Sequence, residues 1–216
     1  MKKLEHNNLF NFLAKRIAWL FFPFIKDEID GIKFNYKNKP YKYFFDKYNV
    51  TLCNERQIEV PIIRGEIPNM LEIGNVLQHY PCNWDIVDKY EKGRGVINCD
   101  ISKFKPKKKY NLIVSISTLE HIGERTGQSK KKILKAINHL KSLLNKRGKL
   151  VFTVPLGWNS EMDELIYADK LGVKMRFMKL DKYYDWIECP MKDTENSEYG
   201  GKFPFANAIM VGEYVK

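Results

Sequence analysis

The sequence predicts an α/β domain built on a doubly wound, mostly parallel sheet, and three observations predict it. From residue 58 onward, short apolar runs alternate with helical segments. That rhythm implies parallel strands joined by crossovers. The first of these runs enters a glycine turn, Ile73-Gly74-Asn75. The chain has 216 residues, 44 % of them hydrophobic, enough for one substantial core.

Leu9, Leu13, Ile17, Leu20 and Phe24 line one face of a helix, while Trp19, Phe21 and Phe22 make it apolar around most of its circumference. Such a helix packs on the main domain, lies in a membrane interface, or forms an oligomer contact. Lys15 and Arg16 interrupt the apolar run and Pro23 limits it, so it should not span a bilayer, which takes about 20 apolar residues. No small-residue cleavage site follows, so no export signal is read.

Ile32 to Phe45 interleaves lysines with aromatics, and Asn38 to Pro40 suggests a turn; a hairpin over the active site is expected. Single-stranded nucleic acid is the less favoured reading of that stretch. Residues 1–57 are therefore assigned to an N-terminal helical and hairpin cap, and residues 58–216 to the main domain.

Strands are expected at Asn69 to Ile73, Asp85 to Asp88, Val96 to Asn98, Asn111 to Ile116 and Leu150 to Val154. Only Asn75 to Trp84, with Pro81 inside, joins the first two, so that crossover has no room for a long helix. Ser129 should cap a helix carrying Ile133, Ile137, Leu140 and Leu144, with Gly148 at its C-terminus. Ala208 to Tyr214 reads as a last, antiparallel edge strand, and Lys192 to Lys202 as a loop.

Composition narrows the partners. There are 37 basic and 26 acidic residues, a net charge of +11. Residues 1–155 hold the excess, whereas residues 156–216 carry eight basic and eleven acidic side chains. A basic front half suits an acidic partner or a membrane surface; a solvated lysine-rich face is the plainer reading. Cys53, Cys82, Cys99 and Cys189 have no paired spacing, and the four histidines form no H-x-x-x-H pair. A disulfide framework and a helical metal site are thus not indicated, and a cytoplasmic protein, with peripheral attachment to the inner membrane surface as a variant, is expected.

In an open parallel sheet, ligands bind beyond the carboxyl ends of the strands where their order reverses. Those ends read Leu71-Glu72-Ile73-Gly74-Asn75, then Asp88, then Cys99-Asp100-Ile101, then Ser115-Ile116-Ser117-Thr118-Leu119-Glu120-His121. This ordered set, over roughly residues 58 to 156, resembles the class I S-adenosylmethionine-dependent methyltransferases, whose fold is Rossmann-like. The resemblance implies that Glu72, Gly74 and Asn75 hold the methionine part of the cofactor. It assigns Asp88 to the ribose hydroxyls, Asp100 and Ile101 to the adenine, and Ser117 to the pocket near the methyl group. The family's glycine pattern continues beyond Gly74, whereas here Val76 and Gln78 stand at the later glycine positions.

The implied reaction is methyl transfer to oxygen or nitrogen of a small or glycan-like acceptor. His121 is either its base or a structural support for the turn after the fourth strand. Glu120 either caps that turn or touches ligand. Arg56 and Glu59 are either an ion pair at a sheet edge or part of the pocket wall. Trp158, Asn159 and Tyr167 stand where acceptor-binding residues are expected. His79 and Tyr80 would face the methionine end. A noncatalytic protein-interaction relative and a basic RNA-binding or RNA-methylating domain are the alternatives. A dehydrogenase is disfavoured, since the full G-x-G-x-x-G turn is missing.

Overall fold

A computed structural model describes residues 31–46, 51, 54–64, 69–77, 83–124, 129–201 and 205–216. The expected N-terminal helix lies outside the described residues, as do Cys53, Gln78, His79, Tyr80 and Cys82.

Five parallel strands form the framework: β3 (Met70–Ile73), β4 (Asp85–Asp88), β5 (Val96–Asn98), β6 (Tyr110–Ile116) and β7 (Leu144–Pro155). Their spatial order is β5-β4-β3-β6-β7, so the winding reverses between β3 and β6. The sheet continues through β10 (Ala208–Val215), β8 (Lys174–Leu180) and β9 (Trp186–Cys189). All four residues of β3 are buried, as are six of the seven in β6. Continuous burial of this kind requires cover on both faces of the sheet.

On one face, α2 (Ser129–Leu143) and α3 (Ser160–Tyr167) supply that cover. Ile133, Ile137 and Leu140 pack with Leu71, Ile113, Leu150 and Phe152. On the other face, α1 (Arg56–Ile63) and the hairpin β1 (Lys33–Tyr36) and β2 (Lys39–Lys42) close a second core. There Ile58, Val60, Phe34 and Tyr36 meet Met70, Val114, Ile116 and Val211. Each fully buried aliphatic side chain is worth about 1.5–3 kcal/mol.

The structure corrects several sequence expectations. Residues 56 to 63 form a helix, with Pro61 inside it, so Arg56 and Glu59 are an i,i+3 pair and not a sheet-edge pair. The boundary drawn after residue 57 falls within this helix. The described part of α2 begins at Ser129, whose N–H donates to Glu161 Oε2 at 3.1 Å. Gly148 lies inside β7, and Leu144 begins that strand instead of extending the helix. The left-handed residue at this corner is Arg147, with φ of 65°. Gly148 is needed for another reason: a Cβ there would stand 2.9 Å from the Tyr110 carbonyl oxygen.

Strand β10 is antiparallel but not an edge, since it pairs with both β7 and β8. The hairpin turns at Lys37 and Asn38, both with positive φ, which is the backbone of a two-residue I′ turn. Its tip does not cover the strand ends. Lys37 donates to Glu188 through its N–H at 2.9 Å and pairs with Glu213 through Nζ, on the sheet face toward the opposite end of β10. Among the described residues, no helix is long and apolar enough to cross a membrane.

Candidate functional site

The strand ends at the winding reversal bring two constellations together. The first is the turn after β3. Gly74 adopts φ of +85°, a conformation that an L side chain enters with strain, and its N–H donates to the Val87 carbonyl at 2.9 Å. A Cβ at Gly74 would overlap the Thr118 hydroxyl oxygen and stand 3.1 Å from Thr118 Cβ. The turns after β3 and β6 are therefore in direct contact, and only glycine permits it.

Glu72 shapes this turn from beneath. Its Oε1 accepts the N–H groups of Val76 and Leu77 at 2.9 and 2.7 Å, and its Oε2 accepts the Trp84 indole N–H at 3.0 Å. Burial pushes the Glu72 carboxyl up, and these donors oppose that push. The side chain expected to touch cofactor thus spends its acceptors on its own loop. Asn75 beside it is buried.

Asp88, at the end of β4, accepts the N–H groups of Tyr90 and Glu91 through Oδ1, both at 2.7 Å. No described residue donates to Oδ2. Asn98 ties the same loop by donating to the carbonyls of Asp88 and Glu91. Asp100 caps the short turn Ile101–Lys103: Oδ1 accepts from the Ser102 hydroxyl and N–H, and Oδ2 pairs with Lys89 at 3.0 Å. The Ser102 hydroxyl and the Lys89 ammonium hold its carboxyl down at about 2. Ile101 is buried beneath it.

The second constellation was not read from the sequence as a unit. Ser117 takes φ of 39°, unusual for a residue with a side chain, and its hydroxyl donates to Glu59 Oε1 at 2.6 Å. The other oxygen of Glu59 accepts Arg56 Nη1 at 2.7 Å. Glu55 Oε2 accepts the Ala206 N–H at 3.3 Å. Glu120 is expected as a cap or a ligand contact; it does not cap, and its side chain turns inward, 1 % exposed, with Oε2 lacking any hydrogen-bond partner among the described residues.

Three buried carboxylates therefore share one guanidinium. Burial and the neighbouring Glu59 charge raise the Glu55 carboxyl to about 7, and burial raises Glu120 well above the carboxylate range. Burial and the same acids push the Tyr199 hydroxyl upward.

His121 stands at the rim, 47 % exposed, with Nδ1 at 3.1 Å from Glu124 Oε2 and Nε2 at 3.8 Å from Glu120 Oε1. Its ring meets Trp158 edge-on at 5.2 Å, and Trp158 meets Tyr199 at 4.6 Å. Asn159 acts locally: its side chain caps α3 through Glu161 and Met162 and donates to the Glu120 carbonyl. Tyr167 is remote in role, donating to the Thr194 carbonyl at 2.6 Å. Among the described residues, no group of three His, Cys, Asp or Glu side chains is arranged to hold a metal.

No protein-family model matches the chain, and no curated protein does. Solved structures resemble it in fold. The N-methyltransferase NodS from Bradyrhizobium japonicum WM9, in complex with S-adenosyl-L-homocysteine, is 14 % identical, with a TM-score of 0.43 over 68 % of this chain and 77 % of that one. A SAM-dependent methyltransferase from Archaeoglobus fulgidus is 12 % identical, with a TM-score of 0.41 over 68 % and 85 %. One from Clostridium acetobutylicum is 13 % identical, with a TM-score of 0.36 over 68 % and 82 %. The strand order is that of a doubly wound, mostly parallel α/β sheet.

Proposed function

We propose that this protein is an S-adenosylmethionine-dependent methyltransferase whose cofactor lies along the loops after β3, β4 and β5, with the acceptor beside the turn after β6. The observation that carries the reading is the contact of Gly74 with Thr118, which joins a left-handed glycine turn to the Ser117–His121 segment at the winding reversal. Bound there, the cofactor would supply a methyl group activated on a sulfonium.

The residues fit that group with one change of role. Gly74 and Asn75 would border its methionine part, while Glu72 fixes the turn instead of touching the ligand. Asp88, with Oδ2 uncommitted, would accept the ribose hydroxyls, and Asp100 and Ile101 would frame the adenine. Ser117 orients Glu59, and the Ser117 backbone N–H is held by Thr153, so the floor of the acceptor side is rigid. Holding two reactants in line provides much of the acceleration in such a displacement. His121, whose Nδ1 lies 3.1 Å from Glu124 Oε2, would take a proton from the acceptor.

The noncatalytic alternative draws on Glu72 and Asp100, whose acceptors are occupied by the protein's own donors. Calorimetric titration with S-adenosylmethionine and S-adenosylhomocysteine decides between them. Binding to the intact protein, weakened about 10- to 150-fold in Asp88→Ala by loss of a charged hydrogen bond, is the expected result. No binding to the folded protein would sink the enzyme reading.

A further inference from the structure

We infer that the Glu55, Glu59 and Glu120 cluster is a subsite for the ammonium group of the methyl acceptor, which makes the acceptor an amine. The inference rests on the methyltransferase reading and selects nitrogen over oxygen within it.

The charges are unbalanced in a defined way. Both oxygens of Glu59 are engaged, one by the Ser117 hydroxyl and one by Arg56. Among the described residues Arg56 is the guanidinium paired in the cluster, and Glu55 accepts the Ala206 N–H at 3.3 Å. That leaves Glu120, whose Oε2 is fully buried and unpartnered among the described residues. An unmatched buried acceptor is costly and calls for a donor, and an ammonium suits it because it pairs with the carboxylate that remains once the Glu120 proton has left.

The neighbouring rings suit the same guest. His121, Trp158 and Tyr199 form a continuous aromatic corner beside these acids, and Trp158 is 40 % exposed. Aromatic faces attract organic cations and shelter their apolar portions. An ammonium entering past Trp158 would meet the rings first and Glu120 behind them. A neutral hydroxyl would form no such ion pair. The cluster adjoins the turn after β3 through Ser117 and Thr118, so a nitrogen held there would lie next to the position proposed for the methyl group; it would first pass a proton to His121, freeing the lone pair that displaces the neutral thioether from the methyl carbon.

Groups from every side set the pH response: Glu55, Arg56 and Glu59 on α1, Glu120 and His121 after β6, and Tyr199 before β10. Burial keeps protons on Glu55 and Glu120, so a cation must displace one on entering. Amine binding should therefore strengthen between pH 6 and 8 and release protons to the buffer.

The test uses two matched pairs without cofactor: benzylamine with benzyl alcohol, and butylamine with butanol. Binding is followed by saturation-transfer and backbone-amide NMR at pH 6, 7 and 8, in the intact chain and in Glu120→Gln, which keeps shape and removes charge. The amines should bind at least about tenfold more tightly than the alcohols, perturb amides near Glu120, and lose that preference in the variant. Equal binding of amine and alcohol, no binding of either amine, or an unchanged preference in Glu120→Gln would overturn the inference. Calorimetry with S-adenosylmethionine runs alongside. Cofactor binding without amine preference fails this inference alone, whereas amine preference without cofactor binding fails the methyltransferase reading.

Discussion

Replacing Glu55 by glutamine tests whether the buried acids hold protons in the native state. Glu55 is 5 % exposed, and burial with the adjacent Glu59 raises its carboxyl from 4.5 to about 7. At 1.36 kcal/mol per pH unit, that difference corresponds to about 3 kcal/mol. The sign follows from proton binding. Between these two values the folded chain keeps a proton that the unfolded chain has released, so stability falls as pH rises from about 4.5 to 7 and levels off above. Glu120 adds a loss in the same direction.

Glutamine retains an oxygen for the Ala206 N–H and cannot ionise. The variant should match the parent within about 1 kcal/mol at pH 5 and exceed it by about 1–3 kcal/mol at pH 8. Urea unfolding, read by tryptophan fluorescence at pH 5, 6, 7 and 8, measures both chains. Parallel pH profiles would refute the reasoning, because they would mean that Glu55 is already ionised and neutralised in the native fold.

Three further perturbations address the site. Gly74→Ala combines backbone strain at φ +85° with overlap against Thr118 and should cost about 2–4 kcal/mol; Thr118→Ala in that background should recover the overlap part, as thermal unfolding would show. Trp84→Phe removes one of the three donors to buried Glu72 and should cost about 1–3 kcal/mol and weaken cofactor binding, checked by unfolding and calorimetry. His121→Gln should lower kcat by about 10²-fold or more while leaving the cofactor Kd unchanged, once an acceptor is in hand; an unchanged kcat would assign His121 to packing against Trp158.

The framework was legible because its signals are local. Asp85 to Asp88 and Val96 to Asn98 are the strands expected, and the fourth differs only by Tyr110. The helix α1 was hidden by Pro61, which breaks the usual pattern although the helix tolerates it. Lys174-Met175-Arg176-Phe177 does alternate polar with apolar residues, so β8 carried a readable signal. The acid cluster carried none. Glu55 and Glu59 meet Glu120 and Tyr199 only through the fold, across more than 60 positions of sequence, and no local spacing records such a meeting. A fused helix would have placed Glu55 and Glu59 on one face, but only after α1 was recognised.

The turn after β3 shows how a departure from the glycine pattern can leave the geometry intact. Val76 stands where the resemblance expects a glycine, yet its N–H and that of Leu77 are drawn to the Glu72 carboxylate, and Trp84 clamps the other oxygen. Three donors on one buried acid fix the path of the loop without requiring backbone freedom at residue 76. Gly74 remains indispensable because Thr118 presses against it, and Thr118 is where the acid cluster begins through Ser117 and Glu59. The turn after β3 and the floor proposed for the acceptor are thus one packed unit. A ligand that repositions Glu120 or Glu59 would be felt at Gly74, so the proposed acceptor and cofactor affinities should be coupled, each changing the other by the same factor.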